Sequence, residues 1–177
     1  MVVTEKLPPQ SVDAEASILG AALFDPDAIA RLVEYVRPEH FYSESHQKIY
    51  AVMFDLFDKG TPVDLITVTE GLKNNGDLEG IGGATYLSKL SNDVSTSAHL
   101  IQHAKLVREK FFLRSLITVS TQIIEQAYDP AGDALSVIDD AEKLIFQVSG
   151  QKVDSAAASM RELIKDSIET IDRLYQR

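Results

Sequence analysis

The chain has 177 residues, a net charge of −10 and no cysteine, and 45% of its residues are apolar. This composition is typical of a soluble globular protein with one domain and an appendage, and it excludes disulfides and cysteine metal sites. No apolar run reaches the ~20 residues that cross a bilayer, and the N-terminus lacks the apolar core of a signal peptide, so no membrane contact is expected. The lack of cysteine is compatible with a reducing cytoplasm, where we expect the protein to act.

The negative charge is unevenly distributed along the chain. Residues 150–177 carry five basic and five acidic side chains, so the whole excess of negative charge lies in residues 1–149. A body of this charge repels a phosphate backbone unless a local basic stripe overrides the repulsion. The charge therefore argues against strong direct binding of DNA by this part of the chain.

Residues 1–96 are predicted to form a small globular bundle of helices, because apolar residues recur at helical spacing between capping residues and glycine stops. The predicted helix starts are, in chain order, Ser11 as an N-cap, Asp25-Pro26 with proline at the first helical position, Ser45, Asp64 as an N-cap, and Gly82-Gly83. The β-branched stretch 63–68 competes as a short strand, although no partner strand is evident.

Residues 97–149 are predicted to form a long αα-hairpin, with a helix to about residue 128, a tight connection at Asp129-Pro130, and a returning helix. Apolar residues cover more than half of each helix, which indicates burial on several sides. Two helices cannot supply that burial alone, so we expect a second copy of the hairpin to pack against this one. The candidate residues for that dimer interface are Val107, Phe111, Phe112, Leu116, Ile138, Leu144 and Ile145.

Residues 150–158 are predicted to be a flexible linker, and residues 159–177 a separate amphipathic helix. Ser159 and Glu162 have the spacing of a capping box, and no helix-stop residue follows. The apolar stripe of this helix therefore needs a surface elsewhere. Its predicted docking face consists of Met160, Leu163, Ile164, Ile168, Ile171, Leu174 and Tyr175.

The sequence assigns no catalytic, cofactor-binding or metal residue. The glycines of Gly71–Gly76 have the spacing of a phosphate-binding loop, but Asp77 and Leu78 replace its lysine and hydroxyl. His99 and His103 lie one helical turn apart, as metal ligands can, but no third ligand is apparent. His40 and His46 are interpreted as packing or capping residues.

The densest run of basic side chains lies on the long helix, at Lys105, Arg108, Lys110 and Arg114. A solvated helix face with ion pairs inside the helix is the favoured interpretation. Contact with phosphate or with an acidic partner is the alternative.

An ordered set of short motifs covers residues 7 to about 149. These are Pro8-Pro9, Ser11, Ala14-Glu15, Leu19-Gly20, Phe41-Tyr42, His46, Ile49-Tyr50, Gly60, Pro62-Val63-Asp64, Thr67, Gly82-Gly83, Tyr86-Leu87, Val107-Arg108-Glu109 and Arg114. In this order they resemble the N-terminal domain of the DnaB family of bacterial replicative helicases. Each motif is weak, but their order is specific. Two departures are a turn at residues 94–97 without proline, and His103 where the family usually has tyrosine.

The resemblance implies an all-α N-terminal domain that works in DNA replication and primosome assembly and is not itself catalytic. It implies that a RecA-like ATPase domain follows this chain and binds ATP and magnesium. That domain is expected to make most of the contacts with DNA and to drive 5′ to 3′ helicase movement. It also implies pairing through the hairpins into a trimer of dimers within a hexamer, docking of the terminal helix on a neighbouring ATPase domain, and primase and in some bacteria a helicase loader as partners.

Two other interpretations are compatible with the sequence. One is the helicase-binding C-terminal domain of primase, whose fold is similar, although the Pro-Pro opening and the terminal helix argue against it. The other is a small metal-dependent hydrolase that uses His99 and His103. The sequence does not identify the residues that contact primase or a loader.

Overall fold

The computed structural model describes residues 7–94, 98–129 and 133–150, and these residues contain helices and no strand. The fold is all-α, as the sequence predicts. Its helices are α1 (Val12–Phe24), α2 (Ala28–Leu32), α3 (Glu44–Asp58), α4 (Leu65–Asn74), α5 (Gly83–Asn92), α6 (Leu100–Tyr128) and α7 (134–150), with a 3-10 turn at Pro38–His40. Within the described residues, no helix is both long and apolar enough to cross a membrane.

The chain divides into two compact units, a first unit Met1–Arg114 and a second unit Ser115–Arg177. The predicted division at residue 97 therefore differs from the division by contacts, which lies inside α6. The physical reason is that Leu100, Ala104 and Val107 are at most 3% exposed and belong to the core of the first unit. The predicted linker at 150–158, apart from residue 150, and the terminal helix at 159–177 lie outside the described residues.

The core of the first unit is built around α1, which packs against α5 and α3. Ile18, Leu19 and Ala22 of this helix are fully buried, and they meet apolar side chains of the other helices. Apolar residues lie nearly all round α1, and this pattern fits a helix that other helices cover on several sides. The fully buried partners include Leu32, Ile49, Tyr50, Met53, Leu72 and Leu87.

Gly20 sets the distance between α1 and α5. A Cβ atom at this position would overlap the carbonyl oxygen of Leu90 and lie 2.7 Å from Val94 Cγ2. No side chain fits there unless the two helices separate. The Leu19-Gly20 motif therefore allows a close helix contact.

The predicted caps have mixed outcomes. Asp64 caps α4 as predicted, since its carboxylate accepts hydrogen bonds from the backbone N–H of Ile66 at 2.8 Å and of Thr67 at 2.9 Å. This capping box explains why the stretch 63–68 continues into a helix instead of forming a strand. Ser11 precedes α1 as predicted, but its side chain makes no capping hydrogen bond. The prediction that Pro26 is the first helical residue is wrong, because α2 begins at Ala28.

The described part of the second unit consists of the end of α6 and of α7. Its apolar side chains are largely exposed to solvent, in contrast to those of the first unit. The most exposed large ones are Leu116 46%, Ile117 53%, Ile124 55%, Tyr128 84%, Leu135 72%, Ile138 54%, Ile145 49% and Phe146 76%.

Candidate interaction surface

A buried polar network lies at the centre of the first unit. Glu15 of α1 and His46 of α3 are each 1% exposed, and His46 Nδ1 lies 2.8 Å from the Glu15 carboxylate. The same carboxylate accepts hydrogen bonds from the backbone N–H of Tyr42 at 2.6 Å and of Ser43 at 3.3 Å. His46 Nε2 shares a 2.7 Å hydrogen bond with the hydroxyl of Tyr86 on α5. A buried carboxylate is tolerated here because each of its oxygens is hydrogen-bonded.

Arg114 of α6 contacts the loop that contains Tyr42, between the 3-10 turn and α3. Its guanidinium donates to the carbonyl oxygens of Pro9 at 2.9 Å and of His40 at 2.7 Å, and it lies 5.5 Å from the centre of the Tyr42 ring. Partial burial lowers the pKa of this guanidinium, and the Glu15 carboxylate opposes that change. Arg114 thus ties the N-terminal proline segment and the loop before α3 to α6.

His40 is held in its neutral form by its surroundings. Its Nδ1 accepts a 3.1 Å hydrogen bond from the backbone N–H of Arg37, and its ring lies 4.6 Å from that of Phe111. Burial, followed by the charges of Arg108, Arg37 and Arg114, lowers its pKa to about 4. The interpretation of His40 and His46 as packing or capping residues is confirmed for both, because His40 packs and His46 is buried in the network.

These contacts explain many of the sequence motifs in structural terms. Glu15, Tyr42, His46, Tyr86 and Arg114 all belong to the connected polar network. Gly20 permits a helix contact, and the segment 62–67 forms a cap. The motifs that carry the resemblance therefore specify a fold.

One serine–histidine contact calls for a chemical test. Ser17 Oγ lies 2.9 Å from Nδ1 of His103, beside an open cavity of about 230 Å³ that Asp13 and Asp93 also line. Nucleophilic catalysis requires a third group that orients the histidine. Among the described residues, no carboxylate bonds to His103, so this pair is not arranged as a catalytic triad.

The metal alternative gains no support from the described residues. The rings of His99 and His103 lie 6.2 Å apart, and no group of three or more potential metal ligands occurs in the described ranges. Transition-metal sites in proteins need three or four such ligands. The two histidines therefore have no further ligand in the part of the chain that is described.

The basic run on α6 differs from the favoured interpretation. Arg108 and Lys105 lie over the ring of Tyr35, at 5.8 Å and 5.4 Å from its centre, and Arg114 binds two carbonyl groups. None of the three forms an ion pair within the described residues. The expectation of ion pairs inside the helix is wrong for these side chains, because aromatic rings and carbonyl groups hold them instead.

The predicted interface residues are divided between the two units. Val107 is 1% exposed in the core of the first unit, so its inclusion is wrong: its side chain is already covered by its own chain. Phe111 and Phe112 are half-buried, and both rings contact His40. The other candidates lie in the second unit, where Leu116, Ile138 and Ile145 are exposed and Leu144 is half-buried.

The second unit therefore presents the main candidate surface. Its residues from Leu116 to Tyr128 and from Leu135 to Phe146 place many large apolar side chains in solvent. Exposed apolar surface of this extent marks an interaction site in proteins that are stable in water. Ile117, Ile124, Leu135 and Phe146 also belong to it, although the candidate interface does not include them; their apolar character at helical spacing is the signal that identifies them.

Comparisons with known proteins show the family to which the chain is similar. Residues 7–109 match the family model described as the DnaB-like helicase N terminal domain. The chain is 41% identical over 172 residues to the replicative DNA helicase DnaB of Rhodothermus marinus, covering 97% of this chain and 18% of that protein. It is 38% identical over 176 residues to the replicative DNA helicase DnaC of Bacillus subtilis, covering 99% of this chain and 39% of that protein. The chain thus spans well under half the length of these relatives.

Two solved structures are similar in fold. The N-terminal domain of DnaB helicase from Mycobacterium tuberculosis superposes with a TM-score of 0.76 at 38% identity, covering 80% of this chain and 99% of that one. A DnaB-like replicative helicase, described together with its interactions with primase, gives a TM-score of 0.66 at 29% identity. That match covers 88% of this chain and 35% of the other.

Proposed function

The chain belongs to the DnaB-like helicase N-terminal domain family, and from this premise we propose that it is the non-catalytic N-terminal part of a replicative DNA helicase. In this role it joins subunits to one another and receives partner proteins during DNA replication in the cytoplasm. The described residues fit this role, because the buried polar groups of the first unit stabilise its fold, and the described helices of the second unit expose many large apolar side chains. The family match favours this role over the helicase-binding domain of primase.

The observation that carries the proposal is the exposure of the second unit's apolar side chains. Ile138, Ile117 and Ile124 are each more than half exposed in the single chain. Covering the exposed half of each side chain contributes roughly 1 kcal/mol. We propose that a second copy covers them, and that such pairs assemble further into a trimer of dimers within a hexamer.

The catalytic steps belong to a part of the protein outside this chain. We propose that this part binds ATP and magnesium, hydrolyses ATP and moves 5′ to 3′ along DNA. Support comes from the names of the relatives, which are replicative helicases much longer than the match. In this chain, Asp77 and Leu78 occupy the places where a phosphate-binding loop needs lysine and a hydroxyl.

Two further contacts belong to the same proposal. Primase is the proposed partner, supported by the related helicase whose structure is described with its interactions with primase, and a helicase loader is a second one. The apolar face of residues 159–177 is proposed to dock on the ATPase domain of a neighbouring subunit. The support for this docking is the helical periodicity of its apolar residues in the sequence.

Sedimentation of matched variants tests the pairing. Ile138→Asp places a charge in the exposed apolar surface of the second unit, where it would have to be desolvated on pairing. Ile66→Asp introduces the same change on α4 of the first unit, at a side chain that is 80% exposed. We expect the wild type and Ile66→Asp to sediment as dimers or larger species, and Ile138→Asp as a monomer.

Circular dichroism of Ile138→Asp should show unchanged helix content, which separates loss of pairing from loss of folding. A wild-type chain that sediments as a monomer at high micromolar concentration would overturn the pairing proposal. Equal dissociation of both variants would also count against it, because the effect would then not belong to the second unit.

A further inference from the structure

Three cations of the first unit lie close to one another without a carboxylate partner. Arg37 precedes the 3-10 turn, and Lys105 and Arg108 lie on successive turns of the first half of α6. Lys105 and Arg108 lie over the same ring, that of Tyr35. The backbone N–H of Arg37 donates to His40 Nδ1 at 3.1 Å, and the charges of Arg37 and Arg108 both lower the pKa of His40. Within the described residues, none of the three forms an ion pair.

The acidic side chains that adjoin them in sequence do not neutralise them. Glu34, Glu39 and Glu109 are exposed, and none makes an ion pair with these cations. Some other cations of the first unit are paired, as Lys59 is with Asp55 and Lys48 is with Asp77, whereas Lys89 forms no ion pair among the described residues. Arg37, Lys105 and Arg108 differ from Lys89 in that each lies over an aromatic ring.

Aromatic rings hold these cations in place. Lys105 Nζ lies 5.4 Å and Arg108 Cζ 5.8 Å from the centre of the Tyr35 ring, and Arg37 Cζ lies 5.3 Å from that of Phe54. A cation over a ring is oriented at little cost, yet it keeps its charge and its free N–H groups. One guanidinium nitrogen of Arg37 donates hydrogen bonds to the carbonyl oxygens of Val33 and Val36. Among the described residues, no hydrogen-bond acceptor binds Arg108 or Lys105.

We propose that Arg37, Lys105 and Arg108 form a docking site for an acidic segment of a partner protein. Two like charges over one ring repel each other, and a carboxylate bound between them would remove that repulsion. A guanidinium with unspent N–H groups favours a carboxylate, because it can donate two parallel hydrogen bonds to it.

The structure favours a protein partner over single-stranded nucleic acid. Proteins that bind single strands without sequence preference offer exposed rings on which bases stack. Here Tyr35 is 6% exposed, and the faces of Tyr35 and Phe54 are occupied by the protein's own cations. The acidic body also repels a long phosphate polymer more strongly than a short segment with a few carboxylates.

Docking of an acidic segment has a measurable consequence at His40. The groups that face this imidazole are Arg37, Arg108 and Arg114, together with the rings of Phe111 and Phe112. A carboxylate on Arg108 and Arg37 would offset two of the charges that lower the pKa of His40. Binding should therefore raise that pKa from about 4.

Fluorescence anisotropy with defined probes tests the proposal. The probes are a labelled hexaglutamate peptide, a hexaglutamine peptide and an oligothymidylate of equal length, each at low salt and at ~0.15 M salt. We expect the wild-type chain to bind hexaglutamate and not hexaglutamine. Lys105→Gln/Arg108→Gln should weaken that binding by roughly tenfold or more.

A matched double variant, Lys89→Gln/Lys143→Gln, removes the same net charge elsewhere and should bind hexaglutamate as the wild type does. Lys105→Glu alone provides a second test if the Arg108 change disturbs folding, because Lys105 is exposed. An NMR titration of the His40 ring, with and without the peptide, should show the rise in its pKa.

Equal binding by the wild type and Lys105→Gln/Arg108→Gln would overturn the proposal, as would an equal loss in the matched variant or an unchanged pKa of His40. Tighter binding of oligothymidylate than of hexaglutamate would also overturn it and assign the site to nucleic acid. The variants at Lys105 and Arg108 leave the second unit unaltered, so their sedimentation reports on pairing separately from docking.

Discussion

The two halves of α6 contain similar apolar residues in opposite environments. In the first half, Leu100, Ala104 and Val107 are at most 3% exposed, because α6 belongs there to the core of the first unit. In the second half, Leu116, Ile117 and Ile124 are 46–55% exposed. Apolar residues at helical spacing thus identify a surface that must be covered, whereas only the packing shows whether the same chain covers it.

The polar residues follow the same division. In the first unit, Glu15, His46 and Arg114 make long-range hydrogen bonds that fix a single arrangement of helices and loops. In the described part of the second unit, side-chain hydrogen bonds are local, such as that between Lys143 and Asp140. Contacts within the same chain thus fix the structure of the first unit. We expect another copy of the chain to cover the exposed apolar side chains of the second unit.

Glu15→Ala should have the largest effect on the stability of the first unit. The change leaves His46 and two backbone N–H groups without their acceptor in a buried site. We expect a loss of about 4 kcal/mol in the free energy of unfolding. Urea denaturation measures it, with Glu44→Ala as the control, since an exposed ion pair such as that of Glu44 with Lys48 contributes little to stability. A loss below about 1 kcal/mol for Glu15→Ala would show that the network does not hold the unit together.

Gly20→Ala should destabilise the first unit by about 2 kcal/mol, although alanine normally favours a helix over glycine. The added methyl group would overlap the Leu90 carbonyl oxygen, which is backbone and cannot rotate away. Gly150→Ala in α7 is the control, because nothing lies within 4 Å of its Cβ position. In thermal unfolding, the melting temperature of the control should lie near that of the wild type, and that of Gly20→Ala well below it. A stabilising effect of Gly20→Ala would contradict the close contact between α1 and α5.

Acidification should weaken the first unit through His40. Its pKa lies at about 4 in the folded chain, below the ordinary value of 6.5, so the unfolded chain takes up the proton first as the pH falls. The stabilising contribution is therefore complete above about pH 6.5 and is lost progressively as the pH falls towards about 4. Between about pH 7 and about pH 5.5 we expect His40→Gln to lose about 1 kcal/mol less stability than the wild type. His99→Gln is the control, and a pH dependence that is the same in both variants would exclude His40 as the cause.

Asp64→Ala should have the smallest of these effects, about 1 kcal/mol. It removes the acceptor for two backbone N–H groups at the start of α4. Ser11→Ala is a natural comparison, because Ser11 stands at the same position before α1 but makes no side-chain cap. Chemical denaturation should therefore detect a loss for Asp64→Ala and almost none for Ser11→Ala. Equal losses would mean that position alone, and not the hydrogen bond, sets the contribution.

Much of the fold could be predicted from the sequence, because its signals are local. The predicted third helix from Ser45 to Asp58 agrees with Glu44–Asp58 to within one residue, and Asp64 caps α4 as expected. Local signals mislead where two positions could begin the same helix. Pro26 is such a position, and it lies two residues before the observed start of α2. They also cannot place the boundary between the units, since α6 is one continuous helix across residue 114.

The polar network could not be predicted, because its members are far apart in the sequence. Glu15 and His46 are separated by 31 residues, His46 and Tyr86 by 40, and Arg114 and Pro9 by 105. Arg114 has the sequence context of a solvated helix position, and only the fold brings carbonyl groups to it. The sequence predicts that the second unit has an apolar surface that needs covering, whereas the assignment of Val107 to that surface was wrong.

Amide hydrogen exchange at increasing protein concentration tests most directly the claim that another copy of the chain completes the second unit. We predict that amides of residues 116–128 and 134–150 become more protected as concentration rises. Amides of α1, α3 and α5 should keep their protection, because their partners lie in the same chain. Protection of the second unit that is high and constant down to nanomolar concentrations would contradict the account, as would exchange that stays fast at the highest concentration.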